Sequence, residues 1–186
     1  MEDIKLAMDL TLGELTKALD CIDLAQVDRL IDEICKAEKV FFVGVGRVLL
    51  ALQAWVKRLN HIGIRAIYVG AIDEPAITAK DLLIVGSGSG ESVFPAAIAR
   101  LARGTGASVV QIGSNRSGTV AKYANLFVRI PCRTKLNLPD EIDSAQPMSS
   151  LFEQTLFMLG DIISGVIIKR RNINIHDLWR FHANLE

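Results

Sequence analysis

The sequence predicts a doubly wound α/β fold, a five-stranded parallel sheet with helices on both faces and a helical arm at its N-terminus. Two observations carry that prediction. Short apolar runs alternate with longer stretches of helical period, which is the pattern of repeated βαβ units. Right-handed crossovers then place helices on both faces of the sheet. In addition, two of the apolar runs end in Gly-rich turns, Gly44-Val45-Gly46-Arg47 and Gly86-Ser87-Gly88-Ser89-Gly90-Glu91-Ser92.

Taken in order, Ile4, Ala7, Leu10, Leu15, Ala18 and Leu19 recur at helical spacing and predict a first helix. Val27, Leu30, Ile31 and Ile34 predict a second. The period then changes. Lys39 to Val43 is a short apolar run stopped by Gly44, as expected of a strand buried on both faces. A helix is predicted from Arg47 to His61, closed by Gly63, and a strand from Ile64 to Val69. Asp81 to Val85 is the next strand, Val93 to Arg103 a helix and Ala107 to Ile112 a strand. A short helix near Val120 precedes the fifth strand, Leu126 to Ile130. Pro131 to Pro147 is polar, has proline at both ends and reads as a loop. Met148 to Arg171 is a long helix, and Ile175 to Leu185 is predicted to be a last one.

The 186 residues fit one domain, with residues 1–37 as the helical arm and 38–186 as the α/β core and closing helices. A chain of this size buries roughly 70% of its unfolded surface and needs no disulfide or metal to fold. Cys21, Cys35 and Cys132 have neither metal-site nor redox spacing and read as small apolar residues in a reducing compartment. Lys plus Arg and Asp plus Glu are both 21, so the net charge is zero, which argues against nucleic acid as a partner and leans towards self-association. The run Lys169-Arg170-Arg171 sits at a helix end, where cations suit the dipole. Glu2 and Asp3 come early and no apolar h-region follows, so no secretory signal is predicted. The apolar stretch Leu151 to Ile168 contains Glu153, Gln154 and Asp161, which argues for a core helix over a membrane span. A cytoplasmic protein is expected.

Ligands of open parallel sheets bind beyond the carboxyl ends of the strands, where the strand order reverses. In a flavodoxin-like order strands one and three flank that point, so both Gly-rich turns face one crevice. In the second turn, glycines let the backbone aim N–H groups inward and the following helix presents its positive end. Ser87, Ser89 and Ser92 add hydroxyl donors without charge. That combination suits a phosphate group, and a plain Ser/Gly turn capped by Ser92 is the simpler alternative. Neither turn has the Gly-Lys-Ser/Thr of a P-loop. Leu49 stands where a dinucleotide fingerprint needs a small residue, and Tyr68-Val69-Gly70-Ala71 supplies no acid, so a nicotinamide cofactor is not expected.

These residues resemble the sugar isomerase (SIS) domain family and, within it, the 6-phospho-3-hexuloisomerase branch. The likeness runs through Gly44-Val45-Gly46-Arg47, Arg58-Leu59-Asn60-His61-Ile62-Gly63, the serine turn and Ile112-Gly113-Ser114-Asn115. It continues in Pro147-Met148-Ser149-Ser150-Leu151-Phe152-Glu153-Gln154 and in the tail His182-Ala183-Asn184-Leu185-Glu186. The serine turn marks the wider domain; the last two segments point to the branch. The resemblance implies a SIS fold and reversible conversion of 3-hexulose 6-phosphate into fructose 6-phosphate through an enediol, with neither metal nor organic cofactor.

Under that resemblance Gly46, Arg47, Ser87, Gly88, Ser89, Gly90, Glu91 and Ser92 hold the sugar phosphate. Glu153 is the base, and from its residues alone it is equally a first-turn carboxylate favoured by the helix dipole. His182 assists at the sugar oxygens from a neighbouring subunit, and His61 is either catalytic or a helix-end residue. Arg47 contacts sugar oxygens or phosphate, or is an ordinary first-turn arginine. A homo-oligomer, a dimer of dimers, is implied as well. Val48 stands where the family's first turn has a serine, which loosens the identity of the sugar. Isomerisation of another sugar phosphate, or sugar-phosphate sensing without catalysis, are the alternatives. Sensing is disfavoured because the 186 residues leave no room for a DNA-reading domain.

Overall fold

Val40–Val43 (β1), Ala66–Tyr68 (β2), Leu82–Gly86 (β3), Ser108–Gly113 (β4) and Leu126–Arg129 (β5) form one parallel sheet in the order β2-β1-β3-β4-β5. The structure is a computed structural model and describes residues 1–185. Helices α1 (Glu2–Asp20) and α2 (Leu24–Lys36) precede the sheet, and α3 (Gly46–His61), α4 (Val93–Gly104) and α5 (Ser150–Arg170) follow within it and after it. The predicted α/β class and strand order are both present.

The alternation of apolar residues decides which helix goes where. Val40 and Phe42 point into a core shared with α2, α3 and α5, while Phe41 and Val43 point to the opposite face, under α4 and the 3-10 turn Val120–Tyr123. A strand covered on both sides must be apolar at every position, and β1 and β3 are buried throughout. In α2, Val27, Leu30, Ile31 and Ile34 are the buried row, and the Asp23 carboxylate caps the helix by accepting from the Ala25 N–H at 2.9 Å.

α3 and α5 run parallel, because Arg47 meets Glu153, Trp55 packs on Gly160 and Arg58 meets Asp161 along their lengths. A Cβ at Gly160 would stand 2.7 Å from the Trp55 ring, so only glycine allows the two axes to come this close. By length and composition α5 could cross a membrane, but half of its most apolar window is buried inside the protein, where it acts as the central core helix.

Register then positions the site. Val43 lies beside Val85, and Gly86 beside Ile112, so the turns leaving β1, β3 and β4 emerge side by side. The chain runs from β1 out to β2 on one side and back to β3 on the other, which opens the crevice between the first two turns.

Strand ends shift by one or two residues from the prediction, and the last two helices differ for local reasons. α5 begins at Ser150 rather than Met148, because Met148 has φ +56°, outside the helical region. The expected last helix is a 3-10 stretch, Ile175–Phe181, ending at His182. None of its residues is fully buried and only Leu178 packs on the core, so little apolar contact favours an α-helix there.

The 131–147 segment is a loop, as predicted, and it is firmly tied. Cys132 bridges Ile142, and the Glu14 carboxylate of α1 accepts from Ser144 Oγ at 2.6 Å, Ala145 N at 2.8 Å and Gln146 Nε2 at 3.0 Å. Burial alone would raise the Glu14 pKa, but the bonds from Ser144, Ala145 and Gln146 outweigh it and hold it below its ordinary 4.5. A depressed carboxyl pKa contributes stability above the ordinary value and loses it as pH falls through the folded value. Glu14→Gln is therefore expected to be less stable than wild type near neutrality. The gap should close as the pH falls below about 4 in urea-unfolding midpoints.

Candidate functional site

The serine turn takes its shape from what surrounds it. At Gly86 a Cβ would stand 2.9 Å from both Val48 and Leu52, so the start of α3 packs directly on the end of β3. The turn's carbonyls point outwards: Gly88 O accepts from Ser114 N at 2.9 Å and Asn115 N at 3.1 Å, and Gly90 O from Val120 N at 3.0 Å. Ser89 O accepts from Asn115 Nδ2 at 3.0 Å. With the carbonyls so engaged, and Gly90 at φ +69°, the inner side of the turn is left to N–H groups and hydroxyls. Ser87 Oγ accepts from Gly90 N at 3.2 Å and Ser89 Oγ from Glu91 N at 3.3 Å. Ser92 is the N-cap residue of α4 but its hydroxyl makes no capping bond.

Ser87, Ser89, Ser92 and Gly88 line a cavity of about 220 Å³ closed by Thr134, Lys135, Met148 and Phe152. Val48 also lines it, with a methyl group where a serine would offer a hydroxyl. Glu91 is turned away from this cavity. Its carboxylate accepts from Thr119 Oγ1 at 2.7 Å and Thr119 N at 2.9 Å, and those two bonds hold its pKa below the usual glutamate value. Glu91 thus fastens the turn to its neighbour.

Gly46, at φ +58°, opens α3 and sets Arg47 on its first turn. The Arg47 guanidinium forms an ion pair with Glu153, and the arginine is exposed whereas the Glu153 side chain is only 14% exposed. The pair sits in a groove of about 400 Å³ between α3 and α5, walled by Leu15, Leu50, Phe157 and Met158. Phe152 is the partition: it lines the serine cavity, and the next residue, Glu153, lines the groove. The arrangement therefore offers a turn of neutral donors with Lys135 at its edge and, one residue from Phe152, the Glu153 carboxylate. Among the described residues no group of three His, Cys, Asp or Glu is placed to hold a metal ion.

His61 and His182 are together but elsewhere. Their rings stack with centroids 5.3 Å apart, and Trp179 tilts against His182 at 5.2 Å. They line a cavity of about 310 Å³ at the far end of α3 with Arg58 and Leu178. At about 1.5 Å per helical residue, His61 lies about 21 Å along the axis from Arg47. Within one chain the two histidines do not join Glu153. Sequence reasoning missed Thr134 and Lys135, which belong to a segment read only as a polar loop. The available signal was a cation and a hydroxyl following a strand at the ligand-binding edge of the sheet.

The chain is 33% identical over 175 residues to 3-hexulose-6-phosphate isomerase of Bacillus subtilis, covering 94% of this chain and 95% of the relative. The chain belongs to the 3-hexulose-6-phosphate isomerase family. The enzyme of that name from Mycobacterium gastri is 33% identical over 185 residues, covering all of this chain and 92% of the relative. A Methanococcus jannaschii protein, whose crystal structure is described as inferring a 3-hexulose-6-phosphate isomerase function, superposes with a TM-score of 0.84 at 28% identity. That superposition covers 97% of this chain and 99% of the other. No family model matches the chain. With this family goes the sugar isomerase architecture of the sheet and helices described above.

Proposed function

We propose that the protein interconverts 3-hexulose 6-phosphate and fructose 6-phosphate through an enediol. The supporting observation is the single-residue partition at Phe152, with the serine cradle on one side and Glu153 on the other. A sugar anchored by its phosphate on Ser87, Ser89, Ser92 and the backbone of Gly88 and Gly90 would extend past Phe152 towards Glu153. The Glu153 carboxylate takes the proton from C2, and the C2–H electrons form the C2=C3 bond of the enediol as the C3 carbonyl oxygen gains a proton. Return of the proton to C3, with loss of the proton on O2, leaves the carbonyl at C2. One carboxylate serves both half-reactions because the two carbons are adjacent. Arg47, which pairs with Glu153, would turn to the sugar oxygens.

His182 and His61 enter this reading through a neighbouring subunit. α1 leaves Ile4, Met8 and Leu12 exposed along one row, and α5 exposes Phe157, Met158 and Ile162. These are the surfaces a homotetramer, a dimer of dimers, would cover. Residues 1–186 act as one domain in the cytoplasm. The test is turnover: purified protein mixed with 3-hexulose 6-phosphate should form fructose 6-phosphate and elute as an oligomer. No turnover removes the assignment, and full turnover by a strict monomer removes the neighbouring-subunit role of His182. A second reading, another phosphorylated sugar, is favoured by Val48 at the cavity wall. A lost neutral hydrogen bond costs only on the order of 1 kcal/mol, so a panel of sugar phosphates decides between them.

A further inference from the structure

We propose that Lys135 is the cationic ligand of the substrate's phosphate group, carried to the serine cradle on a turn whose backbone is already set. The proposal deepens the sugar-phosphate reading and rests on it. The donors of the serine turn are all neutral, and the positive end of α4 contributes only about half an elementary charge. A phosphate monoester carries about −1.5 to −2 charges. Most of that charge would stay uncompensated in a cavity whose serines, Ser87 and Ser89, are 4% and 8% exposed. Lys135 is the one charged side chain among the described residues lining this cavity.

Its charge is also not spent on another group. Among the described residues no carboxylate lies within ion-pair distance of its ammonium. The nearby acid, Glu91, is fastened to Thr119 through both its oxygens, and Lys135 is the least of the influences on it.

The turn itself is built to stay put. The Glu141 carboxylate accepts from Thr134 N at 3.0 Å, Thr134 Oγ1 at 2.8 Å and Leu138 N at 3.0 Å. Asn137, at φ +50°, closes the turn by donating its N–H to Thr134 O at 3.1 Å. The Thr134 methyl lies 3.1 Å from where a Cβ on Gly88 would stand, so the turn touches the serine loop directly. Ligand binding then orders only the four-carbon stem of Lys135, which delivers a point charge to the phosphate.

Inorganic phosphate is the probe, measured by thermal shift and by competition against sugar-phosphate turnover in wild type, Lys135→Met and Lys135→Arg. Lys135→Met is expected to weaken phosphate binding and raise KM for the sugar phosphate by about tenfold or more, with a shallower salt dependence. Lys135→Arg should recover most of the affinity, and the Tm of both variants without phosphate should match wild type, since residue 135 is exposed. Wild-type phosphate affinity in Lys135→Met overturns the proposal and leaves the serine cradle standing. Wild-type protein that takes neither inorganic phosphate nor any sugar phosphate overturns the site reading along with it.

Discussion

Glu153→Gln is expected to lower kcat by about 10²- to 10⁴-fold, the usual contribution of a positioned general base. At about 1.4 kcal/mol per factor of ten, this corresponds to about 3–6 kcal/mol of lost transition-state stabilisation. The substitution keeps the shape of the side chain and an oxygen that can still accept from Arg47, so the start of α5 should stay folded. What it removes is the ability to take a proton. KM should change only a few-fold, because the proposed phosphate anchor, the serine turn, lies across Phe152 from Glu153. Incubation in heavy water makes the result specific. Wild type should exchange the carbon-bound proton with solvent, and Glu153→Gln should not. Full turnover by the variant would transfer the base role to another residue.

Gly113→Ala is expected to dismantle the serine turn from behind. Gly113 ends β4, and a Cβ there would stand 2.4 Å from Ser87 O, 2.8 Å from Gln111 Nε2 and 3.5 Å from Gly88 O. The nearest of these atoms is backbone, and it cannot swing aside. Ser87 is pinned by its own N–H to Ile112 O at 3.0 Å and by Gln111 Nε2 to its carbonyl at 3.3 Å. One methyl must therefore displace the turn. Overpacking of this kind costs about 1–3 kcal/mol. For a chain of this length that is a fall in Tm of about 2–12 °C. Phosphate affinity should fall more than tenfold, because the donors move with the turn. Gly13→Ala is the control: nothing lies within 4 Å of its Cβ in mid-α1, and it should stabilise by about 0.5–1 kcal/mol. Unchanged Tm and phosphate affinity in Gly113→Ala would show that the turn is softer than its packing implies.

The difference between the two histidine positions shows how much was already legible. His61 and Arg47 lie on one helix, so their separation of about 21 Å follows from helix geometry and the sequence alone. The stacking of His61 on His182 does not, because it depends on where the chain after α5 returns. The closing helix is a shorter 3-10 turn than expected for a related reason. Only its Leu178 packs against the core, while Ile175, Trp179 and Phe181 stay exposed.

Local chemistry was sufficient for the strands, the helices between them and the serine turn that opened the functional reading. Apolar period, glycine positions and the residues flanking them act over a few neighbours, and the strand ends they mark are where α/β sheets bind ligands. Tertiary packing alone decided the rest of the site. Arg47 and Glu153 are 106 positions apart and meet because α3 and α5 pack in parallel. Lys135 reaches the serine cavity because Glu141 folds its loop back on Gly88. Such contacts depend on register and helix crossing, which no short window of residues encodes.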